Sequence, residues 1–243
     1  MRFVMTVILL FGAAMAARAG NDSARQDNIV IEKLQGDVTV RHGVTEGWTQ
    51  VAVGDVLRPD DSMKTGKKGT ALLLVQKGTG DTMKSRKLTL PSEVILDISD
   101  VRELSQEELM LKLTMEKVRA SSYEWKRDEM RIPNASVVHG QDQSRSALPG
   151  ENDLQTGEFL LNGTHVLFDN GFYSTCALKV MELFRLYPPL GLKFENRLMM
   201  ADALAKANLR SEALTHYAEL SRADGLSPQQ QGVVNGRITQ LKK

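Results

Sequence analysis

Six glycines and Pro59 cut the stretch from Gly36 to Val75 into pieces of no more than six residues. Pieces that short cannot sustain ordinary helices, whose nucleation cost needs several turns to recover. They can be strands. Val38 and Val40 fall on one face of a period-2 pattern, Val51 and Val53 repeat it, and the run Ala71 to Val75 is apolar enough for a strand buried on both faces. The glycines that close these runs can take the positive φ of a tight turn.

The order of the pieces carries more information than any one of them. Gly36-x-Val38-x-Val40, Gly47-Trp48, Gly54-Asp55-x-Leu57, Thr65-Gly66 and the strand Ala71 to Val75 are followed by Lys77 to Asp81, Leu88-x-Leu90 and Val94-Ile95-Leu96. This series resembles the FecR-type extracytoplasmic domain over residues 28–100. The resemblance implies an all-β domain of short antiparallel strands that senses or scaffolds by protein contact outside the cytoplasm. The polar turn at Pro59, Asp60 and Asp61 and the basic segment Lys77 to Lys87 depart from the family's pattern.

Residues 1–19 read as a secretory signal peptide: Arg2, an apolar run from Val4 to Ala16, and Ala17-Arg18-Ala19 as the small-x-small cleavage pattern. An uncleaved anchor is the alternative, but its apolar run is short of the about 20 residues a spanning helix needs, and no second segment is long and apolar enough, so a stable membrane span after cleavage is not expected. Arg2 and Arg18 account for two of the 31 Lys and Arg, which leaves 29 cations against 30 acids after cleavage. Such a balance gives no electrostatic case for nucleic acid. Cys176 is the only cysteine, so no internal disulfide can form. The expected location is periplasmic or secreted.

Within the β domain, assigned to residues 28–103, Asn28 to Leu34 forms the first strand, with partial burial expected on both faces. Trp48 is a candidate ligand-stacking aromatic; a plug over one end of the β core is the plainer expectation. Lys64, Lys67, Lys68, Lys77, Lys84, Arg86 and Lys87 make residues 64–87 basic. They suit either an anionic partner or the protection of strand edges from pairing with other chains. Trp48, Lys64, Lys67 and Lys68 are the candidate binding residues.

A connecting helix is expected over 104–131. Ser105-Gln106-Glu107-Glu108 has the form of a capping box, in which Ser105 accepts from the Glu108 N–H and Glu108 reaches back. The same stretch allows a strand, because Leu109, Leu111, Leu113 and Met115 also alternate. Tyr123 and Trp125 are expected to pack against the β domain. Residues 132–157, containing a short Val137-Val138 strand and a polar run from Gly140, read as a linker.

Residues 158–243 read as helical and repetitive. Asn162 to Asn170 and Leu178 to Tyr187 form one helical pair; Arg197 to Ala207 and Leu214 to Ser221 form a second. Cys176 and Ala213 occupy equivalent small positions 37 residues apart. Gly171, Tyr173, Cys176 and Pro188, then Ala201, Ala213 and Tyr217, resemble the tetratricopeptide pattern, with Asn208 and Arg210 replacing its Gly and aromatic. Ser227-Pro228 should start a final capping helix. Met181, Phe184, Tyr187, Met199, Met200 and Tyr217 suit a hairpin core, or less simply a peptide groove.

Catalytic chemistry is not evident. His42, His139, His165 and His216 are scattered, and no zinc-helix, nucleophile-elbow or phosphate-loop motif occurs. No catalytic residue, metal site or cofactor is assigned, and the chain is not expected to be an enzyme. The sequence therefore points to an α+β multidomain protein: an exported, non-catalytic adaptor of the cell envelope that binds a protein partner. The alternative is a cell-wall or polysaccharide-binding module using Trp48 and the lysines.

Overall fold

The computed structural model describes residues 28–43, 47–77, 84–129 and 151–243. The expected signal peptide and Val137-Val138 strand lie outside them, as do the side chains of Tyr123 and Trp125. The regular structure described between residues 28 and 97 is all antiparallel β. Strands β1 (Asn28–Gln35), β2 (Val38–His42), β3 (Thr49–Gln50), β4 (Val56–Leu57), β5 (Asp61–Thr65), β6 (Thr70–Lys77), β7 (Lys84–Leu90) and β8 (Ile95–Asp97) form two four-stranded sheets. Their orders are β4-β1-β6-β7 and β3-β2-β5-β8.

Alternation dictates which side chains go inward. Ile29, Ile31, Leu73, Val75, Leu88 and Leu90 from the first sheet, and Val38, Val40, Met63 and Leu96 from the second, enter one core. The mixed pattern in β1 has a local cause. A bulge between Ile31 and Lys33 inserts one residue against β6, so the face assignment shifts partway along the strand. The acidic turn that departs from the FecR pattern is structural: Asp61 is buried, accepts the Arg58 N–H at 2.7 Å and meets His42 Nδ1 at 2.7 Å.

Helix α1 (Gln106–Glu129) settles the competition between helix and strand at Leu109 to Met115. Leu109, Leu113 and Glu116 are its buried face, at helical and not strand spacing. Only half of the capping box forms. Ser105 Oγ accepts the Glu108 N–H at 3.1 Å, but the Glu108 carboxylate pairs with Arg102 at 2.6 Å and Lys112 at 3.0 Å instead of reaching back.

The remaining helices are α2 (Glu151–Asp169), α3 (Tyr173–Leu186), α4 (Phe194–Lys206), α5 (Arg210–Ser221) and α6 (Pro228–Lys242). The linker assigned to 132–157 is thus too long, because α2 already begins at Glu151. Its first turn is polar on every side, and the apolar pattern that betrays a helix starts only at Leu154. Helices α2 to α5 form two consecutive hairpins whose turns repeat the same backbone hydrogen bonds at the 37-residue offset. Phe172 N–H bonds the Leu167 carbonyl at 2.9 Å, and Leu209 N–H bonds the Leu204 carbonyl at 2.9 Å. The residue before each, Gly171 (φ 81°) and Asn208 (φ 62°), is left-handed. Asn is the non-glycine residue that best tolerates this helix-ending conformation, which explains the replacement. Cys176 and Ala213 are both fully buried where helices cross. Ser227 and Gln230 complete a reciprocal capping box at the start of α6, with Pro228 in its first turn.

The helices do not hang from the β region. α2 lies on β8, where Gly163 approaches so closely that an added Cβ would stand 2.2 Å from the Ile95 carbonyl oxygen. Asn162 Nδ2 donates to the Glu93 carbonyl at 2.8 Å. Glu103, in the segment after β8, caps α3 across 70 residues by accepting from the Tyr173 N–H at 2.8 Å and the Ser174 N–H at 3.2 Å. The Phe172 side chain makes no cap hydrogen bond, so Glu103 supplies the negative charge that the α3 N-terminus favours. Arg185 of α3 pairs with the buried Glu116 of α1.

Candidate functional site

The second sheet has an outer face that α2 covers only in part. Residues paired in register share a face. Gln50 opposes Thr39, Thr39 opposes Lys64, Lys64 opposes Ile95, Arg41 opposes Ser62, and Ser62 opposes Asp97. This row is the outer face, since the intervening Val38, Val40, Met63 and Leu96 fill the core. At the β8 end α2 closes over Ile95 through Gly163. Toward β2 and β3 the face opens, with Phe159 of α2 at its border.

Trp48 stands at the open end. Two residues before Gln50, it falls by alternation on the outer face beside Arg41. The Arg41 guanidinium carbon lies 5.1 Å from the indole centroid and Lys64 Nζ 5.7 Å. Lys64 Nζ is also 5.8 Å from the Phe159 ring centroid, so it sits between the sheet's aromatic and the helix's. The plug expected at Trp48 is not what forms. Its side chain is 37% exposed and belongs to no buried cluster, because the strand register sends it outward.

A polar chain runs from this face into the contact between sheet and helices. Arg41 Nη2 is 3.5 Å from Ser62 Oγ, Ser62 Oγ donates to Asp97 Oδ1 at 2.6 Å, and Lys179 Nζ of α3 donates to Asp97 Oδ2 at 2.8 Å. Lys179 also meets Asp100 at 3.3 Å and Glu182 at 3.4 Å. Burial pushes the Asp97 carboxyl up, but the Lys179 charge with the Lys179 and Ser62 hydrogen bonds holds it below its ordinary range. For Asp100 burial prevails over Lys179 and the carboxyl is raised. Burial pulls the Lys179 ammonium down, and the surrounding carboxylates more than reverse that. Arg41 itself is less well served: its Nε is buried with no hydrogen-bond partner.

Of the four residues singled out from the sequence, Trp48 and Lys64 are brought together. Lys67 and Lys68 occupy the exposed turn between β5 and β6, and no described contact joins them to Trp48. Lys84, Arg86 and Lys87 lie on β7, the edge of the first sheet, where charge discourages pairing with another chain. Arg41 was missed by sequence reasoning. Its signal was the alternation of Val38 and Val40, which sends Thr39 and Arg41 to the opposite face.

Other chemistry is sparse. Cys176 is fully buried, and burial, with Asp169 and Glu103 adding to it, pushes its thiol up to about 12. Met199, Met200 and Tyr217 are buried and Met181, Phe184 and Tyr187 pack against the same core, so these six do not line a peptide groove. An open groove of about 480 Å³ lies between Gln106 and Met110 of α1 and Leu209 to Glu212. Asn162, within the Asn-Gly-Thr glycosylation pattern, is held in α2 against the sheet. Among the described residues no three His, Cys, Asp or Glu stand close enough to hold a metal ion, and no helix is long and apolar enough to cross a membrane.

The fold is of the mixed α+β class: an N-terminal antiparallel region of two sheets followed by C-terminal helices. Comparison of the chain with protein-family models, curated proteins and solved structures finds no match.

Proposed function

We propose that this chain is a non-catalytic, FecR-like binding protein, exported to the cell envelope, that acts as an adaptor through protein contacts. The observation that carries this reading is the open outer face at Trp48, where a half-exposed indole is flanked by Arg41 and Lys64. Trp and Arg are the residue types that most often dominate the energy of protein interfaces, and a flat β surface suits a protein better than a small substrate. The order of glycine turns over residues 28–100 supports the FecR likeness, and the two hairpins with their 37-residue repeat support a tetratricopeptide-like helical part. In this reading the helices brace the β surface.

Polysaccharide binding is the second reading, favoured by the exposure of Trp48. The two cations over the indole argue against it, because a stacking sugar needs that ring face. A photo-crosslinking residue in place of Gln50, in the native cells, tests the proposal. One envelope protein should be captured, and Trp48→Ala should abolish the capture. Retention on purified envelope polymer with no captured protein would replace the adaptor by the wall-binding module.

A further inference from the structure

We infer that the partner presents an acidic, extended protein segment to this face, with carboxylates pairing Arg41 and Lys64 and the adjoining chain running along the exposed edge of Trp48. This rests on the adaptor reading above. The first support is a contrast in pairing. Lys87 pairs with Glu32 at 2.7 Å, Arg102 and Lys112 with Glu108 at 2.6 and 3.0 Å, and Arg237 with Asp202 at 3.0 Å, and Arg185 pairs with Glu116. Among the described residues neither Arg41 nor Lys64 has a carboxylate within 4.0 Å. Both are spent on the indole instead.

The second support is the state of Arg41. Its guanidinium is half-buried and poorly served: Nε has no hydrogen-bond partner and Nη2 reaches only Ser62 Oγ at 3.5 Å, so a carboxylate oxygen meeting the Nη end supplies a charge-assisted hydrogen bond that the described residues do not. The acids nearest in the sheet cannot serve it. Asp97 is engaged by Ser62 and Lys179, and Asp37 receives Gln50 Nε2 at 3.5 Å from the far end of the row. Among the described residues no acid completes this site, and an external carboxylate would.

The third support is shape. β3 is the terminal strand of its sheet and only two residues long, so the outer face continues to an open edge beside Trp48. Lys67 and Lys68 extend the positive charge from the adjacent turn. An extended segment laid from Trp48 past Arg41 and Lys64 meets cations along its length and an aromatic at one end. A glycan of equal charge would find the cations but not the bare ring.

The test titrates fluorescein-labelled octaglutamate peptide into the full mature chain, with a neutral octapeptide and oligogalacturonate alongside. Salt-sensitive binding of octaglutamate is expected, with Arg41→Gln and Lys64→Gln each weakening it about tenfold, equivalent to about 1.4 kcal/mol. Lys87→Gln, on the other sheet and already paired with Glu32, should change nothing. Circular dichroism of each variant confirms the fold. Octaglutamate binding that ignores Arg41→Gln and Lys64→Gln, or tighter binding of oligogalacturonate, overturns the inference. If crosslinking at Gln50 captures a protein whose contact segment is neutral, the acidic partner is refuted while the adaptor stands; no captured protein refutes the adaptor itself.

Discussion

Replacing Gly163 by alanine tests how firmly the helices are seated on the sheet. In an isolated helix this change should stabilise by about 1 kcal/mol, because Gly is the poorer helix former. Here the new Cβ would stand 2.2 Å from the Ile95 carbonyl oxygen and 3.2 Å from its carbon, both backbone atoms that cannot rotate away. A comfortable carbon–oxygen contact is about 3.3 Å, so α2 and β8 must separate by about 1 Å. Such overpacking costs about 1–3 kcal/mol and also stretches the Asn162–Glu93 hydrogen bond. Set against the helical gain, Gly163→Ala should destabilise by roughly 1–2 kcal/mol. Gly236 in α6 is the control: nothing lies within 4 Å of its added Cβ, so Gly236→Ala should stabilise by up to about 1 kcal/mol. Urea denaturation of the two variants and the parent gives both values. A Gly163→Ala protein as stable as the Gly236→Ala protein would mean that α2 is not docked on β8.

The charge cluster at Lys179 gives two further outcomes. Lys179→Met leaves Asp97, Asp100 and Glu182 without their shared cation and should cost about 3 kcal/mol at neutral pH, read as a lower thermal midpoint. For Asp100 the folded carboxyl titrates above its ordinary 3.8, chiefly from burial, so its ionisation works against folding. That penalty is absent below pH 3.8 and complete above the raised value, so Asp100→Asn should gain on the parent as pH rises through this window. A stability difference independent of pH would refute the assignment. Cys176, with its thiol pushed up to about 12 and no exposure, should resist iodoacetamide at pH 8 in the native protein and react once in denaturant.

Local signals were legible where one residue type has one physical use. Val38 and Val40 announced a strand with its inward face, Ser105 announced the start of α1, and Ser227 and Pro228 announced α6. The hairpin repeat was visible because Cys176 and Ala213 must both be small where helices cross. What sequence could not convey was partnership over distance. Glu103 looks like one more surface acid until α3 arrives 70 residues later with two bare N–H groups. Glu108 matched a capping box, yet Arg102 and Lys112 offered full charges where the backbone offered a dipole. At the candidate site Trp48 and Lys64 were noticed for their chemistry, but Arg41 joins them only through the strand register.

The cap that Glu103 places on α3 also orders events in time. The β region is synthesised first, and until α2 and α3 follow, the outer face at Ile95 and the row Asp97, Asp100 and Glu103 have nothing to meet. Closing contacts across about 70 residues is entropically slow, and chains dominated by such contacts fold late and cooperatively. A nascent chain halted before α2 would expose Ile95 and three uncompensated carboxylates, an invitation to chaperones and proteases alike. The contacts that close the β region's outer face thus come from helices made after it.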